Sequence, residues 1–250
     1  MKDESVDSFI TLTNAGYINF TLNCLKSLEH CKYSGPLLKC YCMDDQSFDT
    51  LRSVSNCIPI MSPIKGCSQL SLFADKNFST TTGLKISAIQ QELSEHPDGY
   101  VCLTDGDIVF KSDTFLQECY NIMKSDSNIE LVTQCDNNFK WSNDGGICTG
   151  FMLIRSTQNT RDIFNLESYY DYYEKHIKNT NRHYHDQIYI NDIRSRLNYR
   201  LLSLDKFPCG SYFYKHHTTL TNPSLSLVHF NWISTSQKVG RMKSYKMWYI

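Results

Sequence analysis

Asp105-Gly106-Asp107 is the segment whose residue types and spacing most plainly could do chemistry. Tyr100-Val101-Cys102-Leu103 before it reads as a strand, and the chain then presents two carboxylates with one glycine between them. Alternation predicts both carboxylates on one side, and the glycine lets a ligand approach the backbone closely. Two carboxylates with open oxygen sites suit a hard divalent cation, Mg2+ or Mn2+, which would clamp a diphosphate. The competing reading is a solvated acidic turn, because Asp-x-Asp is common by chance.

Other segments add candidates. Leu84-Lys85-Ile86-Ser87-Ala88-Ile89 reads as helix and could present Lys85 toward a phosphate. Gly145-Gly146-Ile147-Cys148-Thr149-Gly150-Phe151-Met152 leads into a strand, and His185-Asp186-Gln187 opens a helical pattern. Near the end stand Val228-His229-Phe230-Asn231-Trp232, then Lys238, Met242, Lys243 and Trp248. His229 follows the strand Leu225–Val228, so it is expected at a strand end, where ligands of a parallel sheet gather. Its second ring nitrogen needs a partner to fix the tautomer, and Asn231, on the same strand face, is the candidate. Each feature has a structural alternative. Asp186 suits a helix N-cap, and Lys238, Arg241, Lys243 and Lys246 suit a solvated or dipole-compensating face. Residues 229–250 could simply pack, with Trp232 and Trp248 as anchors. His183 and His185 join no second spaced donor pair, and the stripe through Tyr170 and Tyr173 reads as core rather than a sugar-stacking platform.

The elements that must position these residues alternate. Residues 8–13, 38–43, 100–103, 129–134, 150–155 and 225–230 read as strands. Helical spacing appears at Ile18, Leu22, Leu25 and Leu28, at Ile86, Ile89 and Leu93, at Phe115 to Met123, and in one long helix from Ile163 to Ile177. This order predicts an α/β sandwich around a central, mostly parallel sheet. Residues 134–149, rich in Asn, Asp and Gly, read as a long functional loop. Without a repeat, linker or charge block, the 250 residues are expected to form one domain.

Composition narrows the function classes. Hydrophobic residues are 41% of the chain, enough for a full core, and 25 Lys and Arg oppose 26 Asp and Glu. The net charge of −1 lacks the basic excess on which general nucleic-acid binding relies. No apolar run approaches the ~18 residues of a membrane span. The polar start Met1-Lys2-Asp3-Glu4 does not resemble a signal peptide. The 11 cysteines include no Cys-x-x-Cys pair, and Cys40-Tyr41-Cys42 puts two thiols on one strand face, which suits packing better than zinc. Buried reduced thiols, a soluble protein and a cytoplasmic location are the expectation.

Taken in order, these motifs resemble the nucleotide-diphospho-sugar transferase family, metal-dependent glycosyltransferases of the A-type, Rossmann-like fold. The resemblance runs from TLTNAGY at 11–17 to Trp248 and is strongest to the retaining galactosyl- and xylosyltransferase branch, and to similar enzymes of large DNA viruses. It implies a nucleotide-binding part over about 1–110 and a sugar and acceptor part over about 111–250. It implies that Thr13, Asn14 and Tyr17 hold base and ribose, and that Asp105, Gly106 and Asp107 form the family's metal- and ribose-binding motif. Thr149-Gly150-Phe151-Met152 would line the sugar pocket, and Asp186-Gln187 would stand beside the donor's anomeric carbon. His229 would complete the metal shell of Asp105 and Asp107, with Lys238 on the diphosphate and Lys85 and Asn231 also on the donor. The implied cofactor is Mn2+ or Mg2+, the donor a UDP- or GDP-linked sugar, and the acceptor a glycan or glycoprotein hydroxyl.

Two departures stand out. Cys148 replaces a frequent Asn, and Ser234-Thr235-Ser236 replaces the usual Gly after the histidine. A sugar nucleotidyltransferase is the alternative enzyme, but Asn14-Ala15-Gly16-Tyr17 lacks the basic, Gly-rich character that a triphosphate wants. An inactive sugar-binding module is the third reading, and intact Asp105, Asp107, Asp186 and His229 argue against it.

Overall fold

The computed structural model describes residues 6–63, 76–138, 145–218 and 224–250. Strands and helices follow as β1 (Ser8–Thr13), α1 (Ile18–His30), β2 (Leu38–Cys42), α2 (Asp45–Leu51), β3 (Cys57–Met61), α3 (Lys76–Glu95), β4 (Tyr100–Thr104), β5 (Ile108–Phe110) and α4 (Phe115–Ser125). Then come β6 (Leu131–Asp136), β7 (Gly146–Arg155), α5 (Gln158–Ile163), α6 (Leu166–Tyr172), α7 (Asp186–Asp192), β8 (Tyr199–Leu201), α8 (Gly210–His216), β9 (Leu227–His229) and α9 (Thr235–Ser244).

The main sheet has the order β3-β2-β1-β4-β7-β6-β8. Pairings β1–β2, β1–β4, β2–β3 and β6–β8 are parallel, and β7 runs antiparallel to both β4 and β6. The sheet is therefore mostly parallel, as the alternation of strands and helices predicts. Side-chain alternation divides its two faces. Phe9, Cys102 and Leu153 pack with Leu25 of α1 and Phe115 and Met123 of α4 on one side. Ile10, Val101, Leu103 and Ile154 pack with Ile86, Ile89 and Leu93 of α3 and Tyr189 of α7 on the other. A third cluster joins Phe20, Val109, Val228, Phe230, Met242 and Met247, and it fastens the C-terminal segment to α1.

Several expectations change. The strand near 225–230 is β9, which pairs antiparallel with β5 in a separate two-stranded ribbon, so His229 does not leave the main sheet. The region 134–149 is not one loop. β6 continues to Asp136 and β7 begins at Gly146, while 139–144 lie outside the described residues. The long helix over 163–177 is broken because Asn165 starts a new one, its side chain accepting from Ser168 N–H at 3.1 Å. That break turns the tyrosine stripe, so Tyr169 is fully buried and Tyr170 is exposed. The short β3, β5 and β8 and helices α2 and α8 carry too little periodicity to be read from the sequence. Ten described cysteines are free thiols, and Cys40 and Cys42 are buried in the same core cluster. Among the described residues, no helix is long and apolar enough to cross a membrane.

Candidate active site

β4 delivers the acidic pair. Its last residue, Thr104, is opposite Phe151 of β7, and the Asp105 N–H donates to Gly150 O at 2.6 Å. Beyond this the strand has ended. Ile108 N–H donates to Asp105 O at 3.3 Å, so Asp105–Ile108 is a turn, and the turn rather than alternation brings the carboxylates together. The chain then enters β5, whose Ile108 lies opposite His229 of β9, and Phe230 N–H donates to Asp107 O at 3.1 Å. The ribbon thus sets His229 Nε2 at 3.2 Å from Asp107 Oδ1 and 3.7 Å from Asp105 Oδ2. One donor atom from each of the three residues lies within 4.8 Å of the others. Two carboxylates and an imidazole suit a six-coordinate divalent ion, with positions left for other oxygen ligands.

Gln134 decides what the imidazole can do. Its Nε2 donates to Phe207 O at 3.0 Å and Pro208 O at 2.8 Å, which leaves Oε1 as acceptor. His229 Nδ1 is 2.9 Å from that oxygen, so Nδ1 carries the proton and Nε2 turns a lone pair toward the two aspartates. The sequence points to Asn231 for this task. Asn231 instead accepts from Gly210 N–H at 2.6 Å and donates to Cys148 Sγ at 3.6 Å, which pins the segment after β9.

Gly150 is necessary to this packing. A Cβ there would lie 2.1 Å from His229 Cε1 and 3.0 Å from Asp105 Oδ2. The ring is held by Gln134 and cannot give way freely. Gly150→Ala is therefore expected to weaken divalent-cation binding by about 10–100-fold, the range found when groups that orient a metal ligand are lost. Calorimetric titration with Mn2+ checks this, and wild-type affinity would contradict it. Gly106 has a different neighbour from the expected ligand, since its Cβ would meet Thr21 Oγ1 at 2.8 Å.

Two lysines neutralise the site. Lys238 Nζ lies 2.5 Å from Asp107 Oδ2, and both residues are buried. Burial alone would raise the Asp107 pKa, but Lys238 and His229 outweigh it and hold the carboxyl well below the usual range. Lys85 Nζ lies 2.8 Å from Asp105 Oδ1 and 2.8 Å from Asp186 Oδ2. Burial works against its charge, yet the two carboxylates push the Lys85 pKa up. Lys85 thus bridges two acids rather than standing alone. Asp186 is the first residue of α7, with His185 at the N-cap position, and burial of its carboxyl is overcome by Lys85 and His185, so its pKa is lowered.

Gln187 follows on α7. Its Nε2 donates to Asp136 Oδ2 at 2.7 Å, and its Oε1 accepts from Thr149 N–H at 3.4 Å. Asp136 Oδ1 accepts from Asn138 N–H at 3.0 Å and from Trp232 Nε1–H at 3.1 Å. Burial raises the Asp136 pKa, with these hydrogen bonds opposing the shift.

The loop after β1 lies on the other side of the metal ligands. Thr13 and Asn14 are buried. Thr21 Oγ1 donates to Thr13 Oγ1 at 2.8 Å, Asn14 Oδ1 accepts from Tyr17 N–H at 3.0 Å, and Ala15 N–H donates to Asp44 Oδ2 at 2.8 Å. Asp44 also caps α2 through Ser47 N–H at 2.8 Å. Thr13 and Asn14 therefore shape the loop, and Tyr17, raised in pKa chiefly by burial, reaches the electrostatic neighbourhood of Lys238 and Asp107.

The sequence does not single out Gln134, Asp136 or Asp44 as site residues and offers Trp232 only the alternative role of a packing anchor. The available signals were polar side chains at alternate positions of a strand-like run, Gln134 and Asp136, and an acid directly after β2.

The family model of the nucleotide-diphospho-sugar transferases matches residues 40–242. A UDP-galactose:fucoside alpha-3-galactosyltransferase of Dictyostelium discoideum is 27% identical over 288 residues, covering 98% of this chain and 43% of that protein. The chain thus spans less than half the length of that relative. Among solved structures, the galactosyltransferase LgtC in complex with donor and acceptor sugar analogs superposes with a TM-score of 0.61 at 12% identity, over 96% of this chain and 94% of that one. A glycosyltransferase involved in glycosylation of the major capsid of PBCV-1 gives a TM-score of 0.55 at 12% identity, over 95% and 98% of the two chains. At such identities the likeness is one of fold.

Proposed function

The chain belongs to the nucleotide-diphospho-sugar transferase family, and from that premise we propose that it moves a sugar from a UDP- or GDP-linked donor to an acceptor hydroxyl, with retention of anomeric configuration. The observation that carries this reading is the meeting of Asp105 and Asp107, from the turn after β4, with His229 at the end of β9, and with Lys238 beside them. Asp105, Asp107 and His229 Nε2 would hold the divalent cation, and the imidazole nitrogen favours Mn2+ over Mg2+. A bound cation would neutralise charge on the departing diphosphate, which stabilises the transition state electrostatically. Lys238 adds a second positive charge at the same place. The loop at Thr13, Asn14 and Tyr17 takes the base and ribose, which assigns the nucleotide to about 1–110 and sugar and acceptor to about 111–250 of one domain.

Asp186 and Gln187 are the proposed groups beside the anomeric carbon. A carboxylate kept ionised by Lys85 suits stabilisation of positive charge on the sugar ring. Inversion would need a carboxylate base free to take the acceptor's proton. Asp136, whose pKa is raised, already accepts N–H groups at both oxygens and serves better to orient Gln187. The buried free thiols suit a reducing, cytoplasmic setting.

The test is release of nucleoside diphosphate from a panel of nucleotide sugars, with Mn2+ or EDTA, followed by NMR of the product's anomeric proton. Activity is expected with Mn2+, none in EDTA, and a product of the donor's configuration. Full activity in EDTA, or consumption of a nucleoside triphosphate and sugar phosphate instead, would overturn the reading.

A further inference from the structure

Trp232 combines two features that a purely structural residue avoids. It is 54% exposed, more than any other large apolar side chain among the described residues, and its backbone is left-handed with φ 59°. A bulky side chain in that region is strained, and leaving an indole in water forgoes its burial. The ring is nevertheless fixed. Its Nε1–H donates to Asp136 Oδ1, and the other oxygen of that buried carboxylate holds Gln187. The polar edge of the indole is thus tied to the group proposed to stand beside the transferred sugar, while much of the ring faces solvent.

Sheet order gives the direction. The loop after β1 lies on one side of the acidic turn after β4, and Asp136 ends β6, two strands beyond β4 on the other side. Trp232 therefore stands away from the nucleotide end, toward the space an acceptor must enter. Its neighbours in sequence that reach solvent are uncharged: Asn231, Ile233, Ser234, Thr235, Ser236 and Gln237.

We propose that Trp232 is the floor of an acceptor subsite and that the acceptor is a carbohydrate, a pyranose whose C–H-rich face lies on the indole while its hydroxyls meet the amide and hydroxyl side chains alongside. The electron-rich face of an aromatic ring attracts the weakly positive C–H hydrogens of a sugar, and a flat uncharged platform offers little to a charged peptide. Pinning the ring in advance removes the ordering penalty when the sugar binds. This inference rests on the transferase reading above and deepens it.

The test compares wild type with Trp232→Gly, which suits φ 59° and removes the ring without backbone strain, and with Trp232→Phe. Acceptor KM is measured over a panel of galactosides, fucosides, glucosides, xylosides and mannosides, and donor Kd is measured calorimetrically with Mn2+. Trp232→Gly is expected to raise the acceptor KM about tenfold or more, equivalent to about 1.4 kcal/mol, with donor Kd like wild type. A pyranoside acceptor should also change tryptophan emission in wild type and not in Trp232→Phe, a readout independent of how well the glycine variant folds. Unchanged acceptor KM, no emission change, or transfer only to a peptide hydroxyl would overturn the inference while the transferase reading stands. If wild type cleaves no nucleotide sugar, the transferase reading fails first.

Discussion

Asp107→Asn is expected to lower sugar transfer by about 100-fold or more, a loss of the size seen when one electrostatic contributor to a transition state is removed. The substitution keeps the side-chain shape and removes the charge that a hard cation needs. One Asp107 oxygen faces His229 Nε2 and the other faces Lys238 Nζ, so the change affects cation binding and leaves a buried ammonium without its counterion. A lower melting temperature should accompany the loss, with an unchanged far-UV spectrum. Mn2+ titration followed by transfer rates at saturating donor separates weaker binding from slower chemistry. Wild-type metal affinity together with wild-type turnover would remove Asp107 from the site.

Lys85→Met should strongly destabilise the fold. The lysine is only 13% exposed at its side chain and bridges Asp105 and Asp186. Removing one member of a buried ion pair costs about 3–5 kcal/mol, and because Asp105 is 30% exposed the lower end applies. At about 2–4 °C per kcal/mol for a chain of this size, the melting temperature should fall by roughly 10 °C. The pH dependence has a definite sign. The folded pKa of Asp186 is depressed, so its contribution is present above the unfolded value and lost as pH falls through the folded one. Without Lys85, burial pushes Asp186 up, and acid unfolding should begin at higher pH in the variant. Melting curves across the acid range check both points, and coincident curves for the two proteins would refute them.

Local pattern was enough to read the mostly parallel sheet, because β1, β2 and β4 are short, largely apolar runs and α1 and α4 keep a regular stripe. Asp105, Asp107 and His229 were legible for a similar reason, as polar groups placed abruptly beside apolar strands. What pattern could not supply was pairing. That β9 joins β5 instead of the main sheet depends on long-range contacts, and so does the choice of Gln134 over Asn231 as the partner of His229. Gln134 and Asp136 were hidden by composition, since Asn, Asp and Gly after them make the whole stretch look like loop. Their strand is formed by pairing with β7, despite a register shift between Thr133 and Gln134. For Trp232 the sequence offers only the alternative of a packing anchor, because indoles are usually buried, whereas this one is 54% exposed.

The β5–β9 ribbon has a consequence for how this protein can tolerate insertions and deletions. Leu227 packs with the core that also takes Ile108 and Phe110, whereas Val228 and Phe230 pack with Val109 in the C-terminal cluster, so His229 shares a face with Leu227. Adding or losing one residue in either short strand would exchange those faces and set a hydrocarbon side chain where the imidazole nitrogen now stands. Chain-length change in this antiparallel pair is therefore all-or-none for the metal ligands, with no graded intermediate.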